Sequence, residues 1–166
     1  MFFLRGIGSM TVQELITLIS IESNEILDDN NDYIQYINAG IDYLSMILVA
    51  IRDNEVVKSM TVTNNSDVPT NFMGFVPKSG YPIRIVNGLF STYDGEDVQD
   101  VFYSIRKNHI NSMDSAVPFS EFFTSYLVQL ISFLIKKKSL MIDYANYDKG
   151  FIDHLTALIK ASREVE

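Results

Sequence analysis

Tyr33-Ile34-Gln35-Tyr36-Ile37-Asn38-Ala39-Gly40-Ile41-Asp42-Tyr43-Leu44-Ser45-Met46-Ile47-Leu48-Val49-Ala50-Ile51 is the stretch on which the fold turns. Ile34, Ile37, Ile41, Leu44, Leu48 and Ile51 alternate spacings of three and four, which predicts a helix with a heptad seam along one side. Tyr33, Tyr36, Tyr43, Ile47 and Val49 widen the apolar surface beyond that seam, so the helix is expected to touch neighbours on more than one side. Gly40 in its interior weakens the helix by roughly 1 kcal/mol relative to Ala and leaves room for another backbone.

Upstream, Thr11-Val12-Gln13-Glu14 has the form of a capping box, in which Thr11 accepts from an orphan amide and Glu14 reaches back to the Thr11 amide. Leu15, Ile16, Ile19 and Ile26 then read as one helical stripe ending near Asp28. Downstream of Glu55 the period changes. Val56 to Val62 reads as a strand, and Asn64-Asn65-Ser66-Asp67 as a turn. Val68-Pro69-Thr70-Asn71-Phe72 and Tyr81-Pro82-Ile83 each set a Pro beside apolar residues, which suits edge strands. Asn87-Gly88 between Ile83–Val86 and Leu89–Tyr93 marks a hairpin with a type I′ turn. A further strand is expected over Val101–Ile105. Helix then returns: Pro118 opens a third apolar helix carrying Phe119, Phe122, Phe123, Leu127, Leu130 and Ile131. Phe151, Ile152, Leu155, Leu158 and Ile159 recur on a fourth.

This layout predicts a mainly α protein with a β insertion. It would be a four-helix bundle, two helices N-terminal and two C-terminal, plus a small antiparallel β unit in the middle. Residues 1–10 are set apart as an N-terminal arm or leader, and 11–166 as a single domain. Its helices fall at about 11–53 and 118–163, and its β insertion at about 55–110.

The composition narrows the chemistry. The chain has 166 residues, no Cys and a formal net charge of −8. Without Cys there is no thiolate nucleophile and no Cys-based zinc site. The negative balance argues against sequence-specific binding to DNA or RNA, whose phosphates call for a basic face; Lys136-Lys137-Lys138 is the one basic run. Asp28, Asn30 and Asp32 sit at alternate positions as in a calcium loop. Tyr33 and Ala39, however, stand where that loop needs its Gly and its bidentate Glu. Asp94, Glu96, Asp97 and Asp100 read as an exposed acidic loop. His109 and His154 are far apart in sequence and form no zinc motif, and no nucleophile elbow or phosphate-binding Gly loop is present. No catalytic, cofactor or metal residues are assigned, and no enzyme is expected. The longest apolar stretch, Phe122 to Ile135, is broken by Thr124, Ser125, Gln129 and Ser132, and no membrane span is expected.

The pattern resembles the head-to-tail adaptor (connector, or ring) proteins of tailed bacteriophages. The likeness is carried by Thr11-Val12-Gln13-Glu14-Leu15-Ile16, by Tyr36-Ile37-Asn38-Ala39-Gly40-Ile41, and by the Pro-to-Phe step Val68-Pro69-Thr70-Asn71-Phe72. Ser120 to Ile135 and Tyr147 to Ile159 look like the closing helical pair. Asn71 stands where an Asp is common. The resemblance implies a structural virion protein, assembled in the host cytoplasm and placed at the head-to-tail interface. It implies a homo-oligomeric ring, typically twelve-fold, that contacts the portal protein and the tail or a second adaptor. DNA would pass through its channel only as cargo during genome ejection. For subunit or core interfaces the residues singled out are Ile34, Ile37, Ile41, Leu44 and Leu48 on the seam, with Phe72 and Phe75 in the insertion. Two rival readings use the same observations: a small acidic regulator or immunity-type protein acting by partner binding, and a hydrolase whose site is assembled from distant polar residues.

Overall fold

The computed structural model describes residues 10–139 and 145–164. The chain forms two compact units, one contributed by residues up to Ile47 and from Asn108 onward, the other by Leu48–Lys107. Of the expected N-terminal arm only Met10 lies among the described residues.

The first unit is helical: α1 (Val12–Ser23), most of α2 (Asp32–Ala50), a short 3₁₀ turn (Glu121–Phe123), α3 (Thr124–Ser139) and α4 (Ala145–Glu164). α1 starts where the sequence says. Thr11 accepts from the Glu14 amide, and Glu14 accepts from the Thr11 amide. The next amides do not wait for water. Val12 N–H donates to the Ser115 carbonyl at 3.0 Å and Gln13 N–H to Met113 at 3.3 Å, so a distant segment satisfies the orphan donors of the first turn. α1 ends at Ser23, with Asn24 in the left-handed conformation (φ 54°). Ile26 thus falls outside the helix and is 86% exposed, not part of its stripe.

The buried face of α1 (Val12, Leu15, Ile16, Ile19) lies along α3, whose Leu127, Leu130, Ile131 and Ile135 are also buried. Each such side chain contributes roughly 1.5–3 kcal/mol of burial. α2 meets α3 where it has no side chain: a Cβ placed on Gly40 would lie 2.5 Å from Ile131 Cγ1. Phe133 of α3 stacks on Phe151 of α4 at 4.2 Å between centroids, and Tyr126 and Ser162 share a 2.6 Å hydrogen bond. Asn38 of α2 clamps the backbone of Ile110, donating to its carbonyl at 3.0 Å and accepting from its amide at 2.8 Å.

The second unit is built of strands. β1 (Val57–Val62), β5 (Val98–Ile105) and β2 (Phe72–Phe75) form an antiparallel sheet in the order β1-β5-β2, and β3 (Ile83–Val86) with β4 (Leu89–Thr92) form a hairpin. Asn87 (φ 50°) and Gly88 (φ 76°) are both left-handed, as a type I′ turn requires. Val62, Ile83, Phe90 and Val101 make the core. Rings close around it: Phe72 meets Phe75 at 5.2 Å and Phe90 at 5.6 Å, both edge-on. Tyr81 stitches two strand regions together, its hydroxyl donating to the Val76 carbonyl and accepting from the Phe102 amide.

The expectation of a mainly α four-helix bundle with a small β insertion is therefore overturned. Among the described residues, at 45% helix and 20% strand with five strands in two antiparallel sheets, this is a strand-rich α+β fold. Apolar stripes that suit a bundle are present, but among the described residues α1 against α3 is the one pair of α-helices in extensive close contact. The β residues also have a core of their own. Two local boundaries differ as well. Pro118 precedes the 3₁₀ turn and does not open α3, which begins at Thr124. Pro69 accepts from the Phe72 amide in the turn that launches β2, so the strand follows the Pro-containing stretch.

Candidate interaction surface

Two of the carboxylates that could carry chemistry hold backbone. Asp29 Oδ1 accepts from the Asn31 amide at 2.9 Å within the acidic interhelical turn, and Asp94 Oδ1 accepts from Glu96 N–H at 3.0 Å. Among the described residues no group of three or more His, Asp or Glu is placed to hold a metal ion. His109 Nε2 lies 2.8 Å from Asp42 Oδ1, with both side chains more than half exposed. Among the described residues no hydroxyl hydrogen-bonds to that imidazole, so the pair lacks the nucleophile of a triad. No helix among the described residues is long and apolar enough to cross a membrane.

Ile37, Ile41, Leu44 and Leu48 are fully buried, and Ile34 is half-buried. Phe72 and Phe75 are half-buried in the ring cluster around Phe90. Four of these seven side chains are thus closed off within one chain, while Ile34, Phe72 and Phe75 keep part of their surface open.

In the helical unit the exposed apolar residues among those described are Leu18 and Ile21 on α1, Ile26 after it, Tyr43 and Met46 on α2, and Leu158 on α4. Leu18 and Ile21 are three apart, so they share a face, and Ile21 stands ~200° around the helix from buried Ile19. Ile21 is 72% exposed. In the β unit, Met73, Ile85, Val86, Tyr93 and Phe102 are exposed. Beside Phe102, a cleft of about 290 Å³ is walled by Val57 and Val76 and rimmed by Arg52 and Asn54. The turn that carries this rim is held by Asp53 N–H donating to the Leu48 carbonyl and Arg52 N–H to Val49, a Schellman closure with Arg52 at φ 57°.

Sequence reading missed these outward residues. A signal existed for Ile21, which sits off the Leu15–Ile16–Ile19 stripe. None existed for Phe102, whose side depends on its pairing opposite Ser59. Charge adds a second trait: the two exposed sets lie on a chain of net charge −8. No protein-family model matches this chain, and no curated protein matches it.

Proposed function

We propose that this protein is a head-to-tail adaptor: a structural virion protein whose copies form a ring between portal and tail and line the channel through which the genome leaves. One observation carries the reading. Each unit presents its own exposed apolar set, Leu18, Ile21, Ile26, Tyr43, Met46 and Leu158 in one, Met73, Ile85, Val86, Tyr93 and Phe102 in the other. A closed ring is built from heterologous contacts, in which one patch of a subunit meets a different patch of the next. Two unlike apolar sets on one chain supply what such a contact needs, provided that each set gathers into a contiguous patch, the form in which exposed apolar surface marks a partner. The resemblance through residues 11–16, 36–41, 68–72, 120–135 and 147–159 adds the context of a tailed virion. The net charge of −8 suits a channel wall that DNA slides past without adhering.

The test is absolute mass by light scattering, with negative-stain images of the same fraction. It is run on the chain alone and on the chain mixed with the portal ring encoded nearest its gene. A closed ring in either sample is the expected result. A monomer in both transfers the protein to the small acidic partner-binding class.

A further inference from the structure

The β unit has three strands with an open side, and they are not alike. β1 carries exposed Lys58 on its edge and a register break between Met60 and Val62. β2 has a register break between Phe72 and Gly74. Register breaks of this kind are one way in which edge strands avoid pairing with other chains. β3 has no break; its four residues run in regular register with β4, from Ile83 opposite Thr92 to Val86 opposite Leu89.

The direction of its free groups follows from the turn. A two-residue turn makes the flanking Val86–Leu89 pair the hydrogen-bonded one, and the phase then alternates along the ladder. Phe90 and Thr92 must point away from β3, and they do. Phe90 donates to the Ser66 carbonyl and accepts from the Asn65 amide, each at 2.8 Å, while Thr92 N–H donates to Asn64 Oδ1 at 3.0 Å. By the same phase Ile83 and Ile85 aim their N–H and C=O outward from β3. Among the described residues no backbone group meets them. Ile85 and Val86 are each 46% exposed beside this edge.

We infer that β3 is a docking edge for an extended segment of another protein, which adds as an antiparallel strand and carries an acidic residue opposite Arg84 and an apolar one opposite Ile85. Arg84 is the one charge on β3, and its guanidinium sits 5.6 Å from the Tyr93 ring centroid, placing positive charge on one face of the edge. A second copy fits worse. The register in which Ile83 and Ile85 of two copies exchange both bonds sets Arg84 directly against Arg84, and like charges directly opposite are destabilising. The inference rests on the hairpin alone and holds whether or not the chain closes a ring.

The experiment is a titration of the ¹⁵N-labelled full chain with a capped peptide that has Asp at its centre and Val on either side, followed at the amides by NMR. The Ile83 and Ile85 signals shift on addition of peptide, and exchange of those amides with solvent slows. A peptide with Lys in place of Asp binds about threefold more weakly. Ile85→Pro removes an outward N–H together with the apolar side chain, at a position where an edge strand tolerates Pro, and it abolishes the response. The Phe90 and Thr92 amides keep their protection in that variant, which reports a folded hairpin. Absence of any shift at millimolar peptide overturns the proposal, as does an equal response to the Lys peptide. Protection of Ile83 and Ile85 that rises with protein concentration without peptide also overturns it, because the occupant would then be a second copy.

Discussion

The helical unit and the β unit hold themselves together in opposite ways. The β unit is one continuous run, Leu48–Lys107, and its ends are clasped by an ion pair of 3.1 Å between Glu55 and Lys107. Its core is a knot of rings and branched residues drawn from strands within that single run. The helical unit has to recruit across the chain. α1 packs on α3, the first turn of α1 is satisfied by carbonyls of residues 113 and 115, and Asn38 holds Ile110. The contrast teaches where each is vulnerable. Volume matters most in the β unit, whereas single joints between distant segments matter most in the helical one.

The largest effect is expected from Phe90→Ala, which empties a fully buried ring position. It should cost about 3–5 kcal/mol. Residue-resolved hydrogen exchange should show protection lost across β1 to β5 while α1 and α3 keep theirs. Simultaneous loss in both units would break the comparison. Next comes Asn38→Ala, which strips both partners from the Ile110 backbone and should cost about 2 kcal/mol in denaturant unfolding, with the loss centred on the helical unit. A change below about 0.5 kcal/mol would show that the joint is dispensable. Gly40→Ala should destabilise by about 1 kcal/mol. The gain in helix propensity is roughly 1 kcal/mol, but overpacking against Ile131 Cγ1, which is not the free end of its side chain, costs roughly 1–3 kcal/mol. A stabilised variant would mean that α2 and α3 move apart freely. The smallest effect has the opposite sign. Arg52→Gly, at a left-handed position, should raise the melting midpoint of the β unit by an amount equivalent to about 0.5 kcal/mol.

Local features were legible in the sequence because their causes are local. Thr11 and Glu14 form their box, and Asn87-Gly88 makes its turn, since both need only neighbours within a few residues. The heptad residues Ile37, Ile41, Leu44 and Leu48 are buried together, yet periodicity cannot say what buries them. The fold class was misread for a related reason. Strand order β1-β5-β2 joins residues about forty apart, and no short-range pattern announces that pairing. Ile26 continued a numerical stripe that Asn24 had already ended. The exposed set was least legible, since whether Phe102 or Ile85 faces water is decided by register, and a shift of one residue reverses it.

That α1 packs along α3 has a consequence for synthesis. The two helices are separated by the entire β unit in the nascent chain. At ribosomal speeds of about 5–20 residues per second, α1 emerges on the order of ten seconds before α3. Throughout that interval Leu15, Ile16 and Ile19 have no α3 to cover them, while the strands complete their set at Ile105. The order of emergence lets the β unit close first and leaves the helical face as the surface a chaperone would have to shield.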